Sequence, residues 1–456
     1  MENSGCAVAM KEAKFETDEL FFSITDHAST ILSGNDVFVR ISGYTKEELI
    51  GRFHNIIRHP DMPKIVFKTL WDHLQNNRPL VAYVKNRTKE GGFYWVLAAV
   101  FPLDDRYVSI RIKPGTPIFT AVRELYFKLL MAESKGGMDA SGPMLESLLR
   151  ELGYRDYDHF MSDALLCELT ERKKTLQNNV AHHPLERNFD SELGAHLQSL
   201  HEDCSALMQS YDSWFDKIDL FSRVKSMFEE KGVLLRHLAR DIVFLSLNAS
   251  VASYKAKSGG ETFGVLASDI RINAKENDIL IGHIHATSQS LAQTLNDLIF
   301  AVSAIRLQME AIIYFIEETM SEKNETDIRE ASGNMKTLIE LATLYGDKVS
   351  VLQDQMDKLI RENLNSLDRL EQQVMYLGYV QVYGIIEAAG SQDQSMGFGG
   401  IFSQLKVLIE NTSKEVFDLQ KIGRNFQGQN RMLIDESRKT EVWVKHLNDE
   451  MRAVRA

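Results

Sequence analysis

The stretch NIIRHPDMP, residues 55–63, packs an Arg, a His and an Asp around two prolines. Such a cluster can be a catalytic acid/base pair, a haem ligand, a cofactor cradle or a turn that starts a helix. Its neighbours narrow the choice. Pro63 suits the first turn of a helix, where a missing N–H costs nothing, and the pattern predicts a helix through KIVFKTLWDHLQNN, residues 64–77. Upstream, FFSIT (21–25) and STILS (29–33) read as short strands. Thr45 and Glu48 make a capping-box pattern after the Gly43-Tyr44 break. Downstream, VAYVKNR (81–87) and FYWVLAAVFPL (93–103) flank TKEGG, a hairpin signal. YVSIRIKP (107–114) supplies one more strand. Two strands, short helices and three strands predict an α+β domain over 17–118, preceded by a flexible N-terminus over 1–16.

Composition excludes several classes. A chain of 456 residues allows two or three domains. The formal charge is −12 and the pI about 5.6. With no long Lys/Arg cluster, nucleic-acid binding is not expected. Cys6, Cys167 and Cys204 form no CxxC pair, so neither a disulfide framework nor a zinc site is indicated; this suits a reducing cytoplasm. The opening MENSGCAVAM lacks a basic, then apolar, signal-peptide pattern. The most apolar run, LIFAVSAIRLQMEAIIYFI (298–316), is broken by Arg306, Gln308 and Glu310. It reads as a buried helix rather than a membrane span, and a cytoplasmic protein is expected.

All 8 prolines precede residue 185. Proline breaks helices, so its absence beyond that point predicts long uninterrupted ones. Residues 119–194 read as an irregular helical connector, punctuated by Gly136-Gly137 and His183-Pro184. Phe402, Leu405, Ile409, Thr412, Val416, Leu419, Phe426 and Leu433 recur at alternating gaps of three and four, a coiled-coil seam. Two stretches match each other: SVASYKAKSGGETFGVLASDIR (250–271) and IIEAAGSQDQSMGFGGIFSQLK (385–406). Each has a small-residue helix end, polar or small residues, a Phe and an apolar helix start. Matched tips with similar arms predict two tandem helical hairpins, 195–322 with its tip near 252–264 and 323–456 with its tip near 387–400.

The N-terminal region resembles the flavin-binding PAS domain of bacterial aerotaxis receptors. The resemblance rests on Gly34-Asn35-Asp36-x-Phe38, Ser42-Gly43-Tyr44-Thr45-x-x-Glu48-Leu49, His54-Asn55-x-x-Arg58-His59-Pro60-Asp61-Met62-Pro63, Val84-Lys85-Asn86-Arg87 and Tyr94-Trp95-Val96. It implies a five-stranded antiparallel sheet with helices. It also implies FAD bound by Asn35, Arg58, His59, Asp61 and Asn86, with Tyr94 and Trp95 in the pocket. The chemistry suits a flavin: Arg can fork onto phosphate, and an Asn amide can donate to and accept from a ring edge. The sequence departs from the family at Leu80, where a Trp is usual, so one lining aromatic is expected to be missing while Tyr83 adds bulk nearby. Haem, another ligand or an empty pocket remain open.

The C-terminal half resembles, in degenerate form, the signalling hairpin of methyl-accepting chemotaxis receptors. The first tip keeps Leu247-Asn248-Ala249, Gly260, Phe263 and Asp269-Ile270-Arg271, but has Ala252 for the family's Glu and Lys255 for its Arg. The second keeps Ile386-Glu387-Ala388-Ala389 and Gly397-Phe398, but has Tyr383 for Asn and Gly390 for Arg. One chain supplying both hairpins predicts an intramolecular antiparallel four-helix bundle. Lys255, Phe263, Glu387 and Phe398 are the candidate partner-binding tip residues. The implied partners are the chemotaxis coupling protein, the histidine kinase or chemoreceptors, with the chain a monomer or a homodimer through its PAS domain.

Other candidate chemistry is weaker. His182-His183 and His283-x-His285 lack partners at ligand spacing, and residues two apart do not share a helix face. Glu317-Glu318-Thr319 looks faintly like an adaptation methylation pair, although a solvated helix face explains it better. No P-loop, GxSxG, Rossmann or kinase motif occurs. His59 with Asp61 fits binding or support better than acid/base catalysis. The expectation is a non-enzymatic sensor of oxygen or redox state with output by protein contact. The alternative is a ligand-free PAS scaffold or adaptor with a degenerate bundle.

Overall fold

A computed structural model describes residues 11–178, 192–255, 260–321, 325–390 and 397–453. The chain divides into two compact units. One comprises Met1–Asp216, Ile299–Val349 and Arg438–Ala456, the other Lys217–Leu298 and Ser350–Ser437.

In the first unit the elements run β1 (Phe21–Asp26), β2 (Ile31–Gly34), α1 (Asp36–Ser42), α2 (Lys46–Leu49), a 3₁₀ turn (His54–Ile57), α3 (Lys64–Gln75), β3 (Leu80–Arg87), β4 (Phe93–Leu103) and β5 (Arg106–Ile112). The five strands form one antiparallel sheet in the order β2-β1-β5-β4-β3. Local chemistry explains the element ends. Gly43 closes α1 with φ of +74°, a left-handed conformation that glycine adopts without penalty. Thr45 and Glu48 form the expected capping box. Pro63 sits just before α3 rather than inside its first turn.

Side chains alternate across the sheet. The face carrying Ser23, Val84, Asn86, Ala98, Ser109 and Arg111 turns toward α3 and the 3₁₀ turn around a cavity. The face carrying Phe22, Tyr83, Trp95 and Phe101 packs on helices. Those helices are α4 (Pro117–Glu151), α5 (Tyr157–Asn178) and segments of α8 (Gly260–Ser321) and α9 (Glu325–Gly390). Trp95 meets Phe119 at 5.3 Å, Phe22 meets Phe315 at 4.8 Å and Phe101 meets Tyr345 at 5.2 Å between ring centres. Covered on both faces, the sheet needs apolar residues at nearly every position, which is why VLAAVF reads as a continuous run. Burying a ring such as Phe101 contributes roughly 2 kcal/mol. α4 breaks at Gly136 and Gly137, both outside helical backbone angles. α6 (Glu192–Phe215) and the end of α10 (Phe398–Ala453) also belong to this unit.

Residues 11–16 correct the expectation of a flexible N-terminus over 1–16. Ala13 N–H donates to Phe93 O at 2.8 Å, Phe93 N–H donates to Lys11 O at 3.2 Å, and Phe15 is buried. Residues 1–10 lie outside the described residues.

In the second unit, α7 (Ile218–Lys255) and parts of α8, α9 and α10 share one core. Ile242 and Leu245, Phe263 and Ile270, Leu377 and Val380, and Phe402 and Leu405 come from the four helices in turn. Phe263 stacks on Phe398 at 4.0 Å, so both helix breaks lie at one end of this core. Gly384 is required there, because a Cβ would collide with the Phe402 ring. Of the predicted seam, Phe402, Leu405, Thr412, Val416, Leu419 and Phe426 are buried. Polar layers interrupt the core: Lys231 pairs with Glu415 and Asp418, and Asn363 Nδ2 donates to Thr287 and Ser288. Among the described residues one helix, Glu261–Ser321, is long and apolar enough to cross a membrane, but its apolar stretch is 83% buried inside the chain.

Candidate functional site: a cavity with two arginines and no carboxylate

Inside the first unit lies a cavity of about 320 Å³, within the range of small-molecule sites. Its floor is the inner face of β1, β3, β4 and β5. Its roof is the 3₁₀ turn and α3, where Phe67, Leu70, Trp71 and Leu74 fall on one side of the helix by their spacing of three and four. Phe53, Phe67, Trp71 and Tyr107 give it aromatic walls.

The structure brings two of the seven sequence-predicted residues to this cavity, Arg58 and Asn86. Their backbones form an antiparallel bridge that fastens the turn to β3. The Arg58 guanidinium lies 3.8 Å from the centre of the Phe67 ring, and burial lowers its pKa. The Asn86 Nδ2 is buried without a hydrogen-bond partner.

The other five are not among the lining residues, a correction with a separate reason for each. Asn35 is spent on backbone: its Oδ1 accepts from Phe22 N–H and its Nδ2 donates to Leu20 O, both at 3.2 Å. His59 Nδ1 accepts from Asp61 N–H at 3.1 Å, and Asp61 takes a 2.6 Å ion pair with Lys85. That pair lowers the Asp61 pKa, while burial and Lys85 lower that of His59. Together they brace the corner leading to α3. Tyr94 packs edge-on against Phe21 in the adjoining core. Trp95 points to the opposite face, against α4.

The expectation at Leu80 is also revised. Leu80 is buried but does not line the cavity. Tyr83 adds no bulk there, because it faces outward and donates to Glu168 at 2.9 Å.

Sequence reading missed Arg111, His54, Ser109 and Trp71. Arg111, 3% exposed, donates to Ser23 Oγ at 3.0 Å and to His54 Nε2 at 2.7 Å. Its guanidinium also lies over the rings of Phe21 and Phe38, a favourable cation–π placement. Burial lowers Arg111 to about 10, leaving it charged near neutrality. Burial, reinforced by Arg111, lowers His54 to about 3, so the imidazole is neutral and its Nε2 is an acceptor. No carboxylate pairs with Arg111 among the described residues, and Ser109 Oγ has no partner. A signal was available: Arg111 is a charge on the inward parity of an otherwise buried strand.

At the helix tips, Phe263 and Phe398 are 5% and 4% exposed. This corrects their assignment as partner-facing: the rings stack on each other inside the core. Lys255 is exposed and Glu387 half-buried. The outer surface there is instead carried by Val251, Tyr254, Tyr379 and Ile386. Residues 256–259 and 391–396 lie outside the described residues, as does His182-His183. His283 contacts Ser366, and the described residues contain no cluster suited to a metal ion. The Glu317-Glu318 pair does not form a freely solvated helix face: Glu317 meets His201 at 3.0 Å, and Glu318 accepts from Asp36 N–H.

Residues 31–112 match the PAS fold family. The N-terminal domain is a PAS domain. The chain is 40% identical over 124 residues to the aerotaxis receptor of Escherichia coli (strain K12), covering 26% of this chain and 24% of that protein. It is 24% identical over 88 residues to the nitrogen fixation regulatory protein of Klebsiella oxytoca, covering 19% and 18%. The chain thus spans a quarter or less of the curated relatives it matches. Among solved structures, the light-state blue-light photoreceptor Aureochrome1 LOV is 19% identical, covering 22% of this chain and 85% of that one with a TM-score of 0.21. The LOV domain of the Erythrobacter litoralis EL346 blue-light activated histidine kinase is 18% identical, covering 21% and 97% with a TM-score of 0.20. The chain carries an N-terminal PAS domain, similar to part of a bacterial aerotaxis receptor, followed by long helices.

Proposed function

We propose that the PAS domain holds FAD, with its flat ring in the cavity, and that the chain reports oxygen or cellular redox state. One observation carries this reading. An aromatic-walled cavity of about 320 Å³ is lined by two arginines and no carboxylate, with Asn86 Nδ2 and Ser109 Oγ buried and unpartnered. Buried donors are normally satisfied, so these call for an acceptor-rich ligand, and a flavin's polar ring edge and phosphates are such acceptors. Bound flavin would supply reversible redox chemistry. The chain's own residues do the rest. Trp71 and Phe67, on one side of α3, would offer a flat ring an aromatic surface. Asn86 and Ser109 would donate to its edge and Arg58 would attract its negative charge, while neutral His54 holds Arg111 in place.

The route out of the domain is short. Ser23, on the inner face of β1, accepts from Arg111, and Phe22, the next residue, packs on Phe315 of α8. A shift in the cavity network therefore acts on a helix that continues toward the tips. Packed helices have discrete alternative arrangements that can amplify such shifts. The output is a protein contact at the tips, made in the cytoplasm with chemotaxis-type signalling proteins and without a chemical step.

Purified full-length protein tests the reading. A yellow chain with flavin absorbance, bleached by a reductant and restored by air, supports it. A colourless chain that cannot be reconstituted with FAD overturns it and favours a ligand-free scaffold.

A further inference from the structure

The cavity's charge balance points to a specific role for Arg111. Two guanidinium groups line the cavity, and they differ. Arg58 is partly buried and senses Glu133, so part of its charge is balanced within the protein. Arg111 is 3% exposed, and its side-chain neighbours are neutral: Ser23, His54, Tyr94 and the rings of Phe21 and Phe38. His54 cannot neutralise it. The imidazole accepts from Arg111 at Nε2 and stays uncharged, held low by burial and by Arg111 itself. The guanidinium is fixed by three hydrogen bonds, the third from its Nη1 to Ser109 O at 3.4 Å. It therefore needs no rearrangement when the charge of a ligand changes. A fixed charge in a low-dielectric site acts far more strongly than one in water.

We infer that Arg111 sets the redox potential of the ring bound beside it, its unbalanced positive charge favouring the electron-rich reduced form. The inference rests on the flavin reading above and deepens it. Charge placed near a flavin is a recognised means of tuning its electronics, and here the sign is positive. A purely structural Arg111 would tie β1, β5 and the 3₁₀ turn together and leave the potential unmoved.

The test uses the full chain reconstituted with FAD, with the midpoint potential titrated against a reference dye for wild type, Arg111→Gln and Arg111→Lys. In Arg111→Gln the ratio of reduced to oxidised flavin at a fixed applied potential should fall at least tenfold, a drop of about 30 mV. Arg111→Lys, titrated at a pH low enough to keep the buried lysine protonated, retains the charge and should stay within about threefold of wild type. An Arg111→Gln chain that holds flavin at the wild-type ratio overturns the inference while leaving the flavin reading intact. If Arg111→Gln releases the flavin, Arg111→Lys decides: retention near the wild-type ratio supports a role for charge, and a tenfold shift or loss of flavin overturns it. A wild-type chain that takes up no FAD removes both proposals.

Discussion

Two buried ions face opposite sides of the same sheet, and the protein treats them differently. On the outer side, Glu168 of α5 is 2% exposed and fully engaged. It accepts from Tyr83 Oη at 2.9 Å, Thr116 Oγ1 at 2.6 Å and the N–H groups of Gly115 and Thr116. On the inner side, Arg111 has neutral partners and an open cavity beside it, with unpartnered donors on Asn86 and Ser109. A buried charge with every valence satisfied holds structure. A buried charge left without an opposite, beside orphaned donors, marks a place for something else. One sheet thus carries a seal on one face and a receptor on the other, joined through β1.

The largest test of this contrast is Glu168→Ala. Four donors would lose their acceptor, and stability should fall by about 3 kcal/mol, read from urea unfolding with and without FAD. A potential shift without lost stability would erase the distinction between the faces. Asn35→Ala should cost about 2 kcal/mol, since it orphans Phe22 N–H and Leu20 O. Once folded, that variant should bind FAD as wild type does; a selective loss of flavin would return Asn35 to the binding site. Trp71→Ala removes one aromatic wall and should weaken FAD binding about tenfold, measured by fluorescence titration, with little effect on the unfolding midpoint.

The smallest effect belongs to Glu318, which lies between the two cases. One oxygen accepts from Asp36 N–H at 3.1 Å, while the other is buried without a partner. Burial, with Asp36 nearby, raises its pKa from 4.5 to about 7. The folded state therefore binds this proton more tightly than the unfolded state does. Its contribution is fully present below about pH 4.5 and is lost as the pH rises through about 7. Because the residue is only partly buried, the loss should be about 1 kcal/mol. Comparing urea midpoints at pH 5 and pH 8 should show this slope in wild type and its absence in Glu318→Gln.

Much of the fold was legible. The hairpin around TKEGG, the helix after Pro63, the capping box at Thr45 and the proline-free helices follow from signals a few residues long. The site was less so. The run RHPDMP reads as a cradle, yet only its Arg reaches the cavity, because His59 and Asp61 turn to each other and to Lys85. Asn35, equally prominent, is a backbone staple. Trp95 and Asn86 lie on neighbouring strands with opposite parity, so only one can face inward. Arg111 attracted no notice in YVSIRI because a lone charge in a strand usually faces water. At the tips, the two phenylalanines matched as repeat equivalents and expected to meet a partner stack on each other in the core instead.

The sequence by itself determined the elements, their order and the helical character of the second half, since turns, caps and hydrophobic periods act within a few residues. Tertiary structure alone decided which polar groups surround the cavity. Strand alternation sorts side chains into two sets but does not say what covers each. That was settled when α3 closed over one face of the sheet and α4, α5 and α8 over the other. Burial then left Glu168 sealed and Arg111 waiting for a partner.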